Sequence, residues 1–136
     1  MNRDIHWILQ ETVMLVHRLQ IEEHGGLPGV RDFALLESAL ARPKNHYAHN
    51  QTILIPEIGA IYAQSISQNH PFNDGNKRTA LVTSFLFLEL NGFEITATEE
   101  EATIMFIGLA SNEVKEDELK GWFIEKSKKI QEIIYE

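Results

Sequence analysis

The chain contains no cysteine among its 136 residues, which excludes a disulfide framework and a zinc–thiolate site. It also has no hydrophobic run long enough to cross a bilayer and no signal-peptide pattern, so we expect a cytoplasmic protein without membrane contact. Basic residues are scarce, with 12 Lys and Arg against 20 Asp and Glu and a net charge of −8. Because nucleic-acid surfaces are basic, we expect no direct binding to nucleic acid.

Apolar residues are plentiful enough for one core. They make up 43% of the chain, and no repeat, low-complexity tract or linker divides it. Apolar residues recur at helical spacing in most segments, which is typical of amphipathic helices. The sequence therefore predicts a single domain over residues 1–136, all-α, built as a compact bundle of about six helices around one central buried helix.

The first two helices are predicted from periodicity and end signals. Residues 4–23 form the first helix, and its expected buried stripe consists of Ile5, Ile8, Leu9, Thr12, Leu15, Val16 and Leu19. Three histidines in or next to this helix are interpreted as surface or packing residues: His6, His17 and His24. Asp32 is a suitable N-cap for a short second helix that buries Phe33 and ends at Pro43.

The third and fifth helices carry recognisable starts. Pro56 suits the first position of the third helix, on which Gln64 and Gln68 are expected to be exposed. Thr98 and Glu101 have the spacing of a capping box, in which each side chain bonds to the backbone N–H of the other residue. The pattern therefore predicts that the fifth helix begins directly after Thr98.

The sixth helix is predicted to begin near Lys115, with Lys126, Lys128 and Lys129 toward its end. Acids at its start and lysines at its end match the helix dipole. Ile130 is expected on the apolar stripe of this helix. Gly121 is unfavourable inside a helix, and we interpret it as a point of close packing against another helix.

One polar stretch precedes the most apolar segment of the chain. Residues 70–78 read His-Pro-Phe-Asn-Asp-Gly-Asn-Lys-Arg, and residues 79–90 are apolar nearly all round. A helix that apolar is normally a central one, wrapped by others. The unpaired N–H groups and the partial positive charge at its N-terminus favour anions, phosphate above all. The sequence therefore predicts a phosphate site at the start of the central helix.

The polar stretch supplies donors and a cation ligand at this point. Gly75 permits close approach of the backbone to a ligand, and Asn76, Lys77 and Arg78 add donors around it. Asp74 is the only carboxylate of the stretch, and a lone carboxylate beside phosphates suits Mg²⁺. We therefore predict nucleotide binding through these donors and the metal role for Asp74.

The stretch also contains a base and an apolar anchor. Histidine is the usual general base of enzymes, and His70 precedes a proline, so it can face a ligand and accept a proton. Phe72 is expected to turn inward. Together these residues predict phosphoryl or nucleotidyl transfer. His70 and Arg78 are predicted to be catalytic, and Gly75, Asn76, Lys77 and Arg78 to bind the nucleotide.

The stretch resembles the signature of the Fic/Doc family, His-Pro-Phe-x-Asp/Glu-Gly-Asn-x-Arg. The matching residues are His70, Pro71, Phe72, Asp74, Gly75, Asn76 and Arg78. Members that transfer AMP usually have a glycine where this chain has Lys77, which instead resembles the Doc (death-on-curing) branch. The prototype of that branch is a toxin that phosphorylates a threonine of elongation factor Tu with ATP. It has alanine at the position of Gly75, and that difference favours AMP transfer.

The resemblance implies a Doc-like toxin of a toxin–antitoxin pair. Its expected activity is an ATP- and Mg²⁺-dependent protein kinase acting on a Ser/Thr hydroxyl of a translation factor, by resemblance elongation factor Tu. An AMP transferase of the Fic type is the alternative, and a non-catalytic nucleotide- or partner-binding module is the second alternative. The chain lacks the inhibitory Ser/Thr-x-x-x-Glu-Gly/Asn helix of many members, so a separate antitoxin protein is implied.

The resemblance also assigns a role to residues 44–55, which show no helical pattern. In the family, this segment forms a flap near the active site that orients the protein substrate as an added strand. The β-prone run at residues 52–55 agrees with such a use, because an unpaired strand can add to another chain. A small β-hairpin is therefore expected in the flap.

Overall fold

A computed structural model describes residues 4–130 of the protein. Within them, helices predominate, and two strands of three residues each form a small antiparallel sheet. The elements in chain order are α1 (Gln10–His24), α2 (Phe33–His49), α3 (Ile55–Asn69), α4 (Asn76–Leu90), β1 (Phe93–Ile95), α5 (Glu99–Ala110), α6 (Glu116–Lys126) and β2 (Ser127–Lys129). The predicted all-α bundle of six helices is confirmed. In this part of the chain no helix has the length and apolar character that a membrane span requires.

Helices α3 and α4 form the centre of the bundle. Helix α4 packs against α1, α3, α5 and β1, as expected of a central helix. Helix α3 is enclosed even more completely, with all of residues 58–67 buried. The expected exposure of Gln64 is therefore wrong, since only 6% of this residue is accessible, whereas Gln68 is exposed as predicted.

Helix α1 begins later than predicted and buries a different face. Residues 4–9 are not helical, because Ile8 packs into the core and its N–H donates to the buried Tyr62 hydroxyl at 3.1 Å. Burial raises the pKa of Tyr62 to about 12, so this hydroxyl remains neutral. Of the predicted stripe within α1, Val16 is buried as expected, whereas Leu15 and Leu19 are exposed, as is Leu9 just before the helix. Val13 and His17, outside that stripe, are also buried.

Helix α2 does not end at Pro43 but continues through it to His49. A proline inside a helix leaves the carbonyl four residues earlier without its helical donor. That carbonyl belongs to Ala39, and the hydroxyl of Ser65 on α3 donates to it at 2.8 Å. The N-cap role of Asp32 is confirmed, since its Oδ1 accepts from the N–H of Leu35. Phe33, predicted to be buried, is 55% exposed.

The flap residues form no strand. The side chain of Asn50 accepts from both the N–H and the hydroxyl of Thr52, at 3.1 and 2.7 Å, which closes a tight turn. Ile53 is buried, and α3 begins at Ile55, so the connection is too short for a hairpin. The only sheet among the described residues lies elsewhere and pairs β1 with β2.

The C-terminal part confirms the fifth helix and corrects the sixth. Thr98 and Glu101 form the predicted capping box, with both side chain to backbone bonds at 3.1 Å. Glu101 also bonds to Lys126 at 2.8 Å, which lowers the pKa of Glu101 to about 2. Helix α6 ends at Lys126, because the following residues pair with β1 instead. Within α6, a side chain at Gly121 would meet no atom within 4 Å. Close packing therefore does not explain Gly121.

The bond between Ser65 and Ala39 gives a test of how α2 tolerates its proline. Ser65→Ala should lower the free energy of unfolding by about 1–3 kcal/mol, because it leaves the buried carbonyl of Ala39 unpaired. In a Pro43→Ala background, Ser65→Ala should lower the free energy of unfolding by clearly less, since the N–H of the new alanine can bond to the carbonyl of Ala39. Urea denaturation of the four proteins measures the difference between the two costs.

Ser84→Ala is the matched control for this cycle. Ser84 is equally buried, but its hydroxyl donates to Leu81 within its own helix, where that carbonyl can also accept from the helical backbone. The cost of Ser84→Ala should be the same in both backgrounds. If the cost of Ser65→Ala were also the same in both, the bond from Ser65 would not be what permits Pro43.

Candidate active site

The polar stretch forms the loop between α3 and α4, and residues with positive φ stand at both of its ends. His70 caps the C-terminus of α3 with φ 48° and ψ 55°, and Gly75 caps the N-terminus of α4 with φ 75°. A left-handed conformation is unusual for a residue with a side chain and persists where surrounding contacts enforce it. His70 is exposed, so its imidazole is accessible to a ligand.

The contacts that hold His70 come from Arg31, just before α2. The Nε of Arg31 donates to the carbonyl of His70 at 2.7 Å, and its Nη2 donates to the carbonyl of Asn69 at 3.0 Å. The backbone N–H groups of Arg31 and Asp32 both donate to the carbonyl of Pro71. Arg31 therefore fixes three consecutive carbonyls around the strained residue, a role that the sequence interpretation missed.

The centre of the loop is anchored by Phe72, which is 1% exposed, so its predicted inward orientation is confirmed. Asn76 clamps the backbone of this residue. Its Oδ1 accepts from the N–H of Phe72 at 3.0 Å, and its Nδ2 donates to the carbonyl of Phe72 at 2.9 Å. One N–H of the Asn76 amide remains for a ligand, so the predicted phosphate contact and the observed clamp are compatible.

Asp74 lies on the exposed side of the loop. Its Oδ2 accepts from the backbone N–H of Leu27 at 2.7 Å, and its Oδ1 has no hydrogen bond within residues 4–130. No cluster of three or more metal-binding side chains occurs in that range. A single carboxylate with one available oxygen fits a cation whose other ligands are phosphate oxygens and water, as Mg²⁺ commonly has.

Lys77 and Arg78 lie in the first turn of α4. Lys77 is exposed and forms no ion pair among the described residues. The guanidinium of Arg78 makes one long bond, 3.4 Å from Nη2 to the carbonyl of Gly25, and its buried Nε has no partner in the described structure. These cations are therefore largely uncommitted and available to an anion.

All residues predicted for the site line one open pocket of about 310 Å³. They are His70, Asp74, Gly75, Asn76, Lys77 and Arg78, joined by Asn73. The pocket thus combines an exposed imidazole, a carboxylate, a helix N-terminus and two cations. Such a set can hold a phosphate group and accept a proton from a hydroxyl beside it.

His17 is the second supporting residue that the sequence interpretation missed. It is buried, and its ring stacks on Phe72 with the centroids 3.9 Å apart. Its interpretation as a packing residue is correct but incomplete, because Nε2 also lies 2.8 Å from the carbonyl oxygen of Asp74. No spacing rule connects residues so far apart in the chain, so periodicity gave no signal for this contact.

Comparison with known proteins covers the elements that build the pocket. A model of the Fic/DOC family matches residues 7–88. The chain is 34% identical over 107 residues to "Protein kinase doc" of Escherichia phage P1, covering 79% of this chain and 84% of that protein. It is 39% identical over 74 residues to "Toxin Doc" of Mycolicibacterium smegmatis, covering 54% of this chain and 57% of that protein.

The clamp on Phe72 predicts that Asn76 contributes to stability without any ligand. Asn76→Ala should lower the free energy of unfolding by about 1–3 kcal/mol, because the partly buried backbone groups of Phe72 lose their partners. Urea denaturation of the nucleotide-free protein measures this. Lys77→Ala, one residue further along the same helix, is the control and should not lower the free energy of unfolding, because Lys77 opposes the helix dipole. Full stability of Asn76→Ala would mean that the clamp contributes nothing.

Proposed function

Because the chain belongs to the Fic/Doc family, we propose that it is a Doc-like toxin, an ATP- and Mg²⁺-dependent kinase of a protein Ser/Thr hydroxyl. The observation that carries the proposal is the pocket that joins exposed His70 to the N-terminus of α4, with Lys77 in the first turn of that helix. The names of both relatives support a Doc-like toxin, and one of them is named as a protein kinase.

The transfer step follows from the chemistry of the pocket. His70 accepts the proton of the substrate hydroxyl while the hydroxyl oxygen forms a bond to the γ-phosphorus of ATP. The bond between that phosphorus and the β,γ-bridging oxygen breaks, and ADP leaves. The N-terminus of α4 and the guanidinium of Arg78 stabilise the negative charge of the transferred group. Asp74 would hold Mg²⁺, which when bound neutralises phosphate charge.

Lys77 supports a reversed nucleotide, with the γ-phosphate nearest His70. Its Cβ and stem occupy space that a glycine would leave for phosphates on the helix N-terminus, and an ammonium binds phosphate as a point charge from further out. A groove of about 800 Å³ shares Lys77 and Arg78 with the loop pocket and extends along α4 to Phe85 and Glu89. This groove offers room for the remainder of the nucleotide on the side away from His70.

Two partners belong to the proposal. The target is a protein, and elongation factor Tu is proposed on the family resemblance. A separate antitoxin is proposed because the chain contains no Ser/Thr-x-x-x-Glu-Gly/Asn segment that could inhibit it internally.

AMP transfer remains the second candidate activity, since Gly75, with φ 75°, keeps the backbone accessible at the helix N-terminus. A binding module is the third, and it would have no use for the exposed imidazole of His70.

ATP labelled at different phosphates tests the donor group. We expect transfer of label from γ-labelled and not from α-labelled ATP to purified elongation factor Tu or to proteins of a bacterial lysate. His70→Ala should lower the transfer rate by about 10²- to 10⁴-fold, because the base is lost. Lys77→Gly should reduce γ-phosphoryl transfer and permit some AMP transfer. Labelling from the α-position alone would establish the AMP transferase, and no labelling would favour the binding module.

Asp74→Asn tests the proposed Mg²⁺ ligand. The amide oxygen of asparagine can still accept from the N–H of Leu27, so the loop keeps this contact while the negative charge is lost. We expect the concentration of Mg²⁺ that gives half-maximal γ-phosphoryl transfer to rise by about tenfold or more, corresponding to at least 1.4 kcal/mol of cation binding. Asn73→Ala, next to Asp74 and without a charge, is the control. An unchanged Mg²⁺ requirement would remove Asp74 from this role.

A further inference from the structure

The contact between His17 and the active-site loop has a defined donor and acceptor. A carbonyl oxygen can only accept, so the Nε2 of His17 carries the hydrogen that bonds to the carbonyl of Asp74 at 2.8 Å. The imidazole is 4% exposed, and its plane lies 8° from that of Phe72. Stacking thus fixes the position of the ring, and the hydrogen bond fixes the direction of one loop carbonyl.

The direction of this carbonyl determines that of the next N–H. In a trans peptide the C=O and N–H bonds point in opposite directions, and the described chain contains no cis peptide. Since the carbonyl of Asp74 points toward His17 on α1, the N–H of Gly75 points away from α1. Asp74 and Gly75 both line the loop pocket, so we infer that this N–H faces it. This N–H donates to no group within residues 4–130.

Helix α1 packs closely against Gly75. A side chain at Gly75 would come within 3.2 Å of Ile21 and within 3.7 Å of His17, so these two residues fill the space beneath the peptide. Gly75 itself, at φ 75°, has a backbone that could adopt other conformations without steric cost. The hydrogen bond from His17 therefore selects one orientation of an otherwise permissive peptide.

We propose that His17 is a positioning residue, which holds the peptide between Asp74 and Gly75 so that the Gly75 N–H donates to the transferred phosphate. This inference rests on the proposed phosphate chemistry of the pocket. His17 does not contact the nucleotide, and its effect passes through a backbone donor aimed at the charge that develops on the phosphoryl group. The competing explanation is that His17 serves only as packing for Phe72.

Two substitutions separate these explanations, because each preserves one half of the interaction. His17→Phe keeps an aromatic ring against Phe72 and removes the N–H donor. His17→Gln removes the ring and keeps an N–H donor at about the position of Nε2. Val13→Ala is the control, since Val13 is fully buried in the same helix and is not among the residues that line the loop pocket. Urea denaturation shows which variants are folded before any activity is compared.

We expect His17→Phe to lower kcat by about 10²- to 10³-fold, the range for loss of one preorganised donor, with the KM for the protein substrate unchanged. The kcat of His17→Gln should be at least tenfold higher than that of His17→Phe, although His17→Gln should be the less stable of the two variants. Val13→Ala should be less stable than the wild type, with little change in kcat. Wild-type kcat in His17→Phe, or equal kcat in the Phe and Gln variants, would overturn the proposal.

A binding measurement keeps the test independent of turnover. The ¹⁵N-labelled protein is titrated with the non-hydrolysable ATP analogue AMP-PNP, and the amide resonance of Gly75 is followed. We expect this resonance to shift on binding in the wild type and in His17→Gln, and to shift much less in His17→Phe. Binding with this pattern but without transfer would support the proposal and overturn the kinase function. No binding to the wild-type chain would overturn both.

Discussion

The burial of Phe72 is the constraint on which the loop between α3 and α4 depends. This one side chain draws a polar loop onto the bundle, and its ring is 1% exposed although its neighbours on the C-terminal side are exposed. Asn76 holds its backbone on both sides, and a β-bridge to Val30 ties it to the segment before α2. Because this anchor lies between His70 and Asp74, it holds in place the backbone that carries both side chains.

The parts of the fold that were predicted correctly depend on local rules. The capping box at Thr98 and the proline start of α3 involve residues within four positions of each other, so the sequence contains the whole interaction. The errors arise where a distant partner decides the outcome. Pro43 does not end α2, because it leaves the carbonyl of Ala39 unpaired and Ser65 donates to that carbonyl. Ser65 lies 26 residues beyond Ala39 in the chain. Likewise, the stripe of α1 was misplaced because contact with the loop determines which face of that helix is buried.

The site shows the same division between local and distant contributions. The pocket residues lie within one continuous stretch, so their grouping at the N-terminus of α4 could be predicted from the sequence. Their supports could not, because Arg31 reaches His70 across 39 residues and His17 reaches Asp74 across 57. Hydrogen bonds of this kind leave no periodic pattern. The expected flap failed for a related reason, since β-propensity at residues 52–55 was outweighed by the turn at Asn50 and the burial of Ile53.

The N-terminus of α4 departs from the charge pattern of the other helices. Helices α1, α3, α5 and α6 have an acidic residue in the first turn, and α2 has Asp32 as its N-cap, as suits the positive end of a helix dipole. The first turn of α4 instead has no acid and contains Lys77 and Arg78, and its N-cap is Gly75. In a chain with a net charge of −8, two cations at this point oppose the dipole and are not balanced by an ion pair among the described residues. Such local conflicts are expected at functional sites, where a ligand relieves them. A bound phosphate group, as in the proposed function, would satisfy the dipole, the cations and the unpaired N–H of Gly75 together.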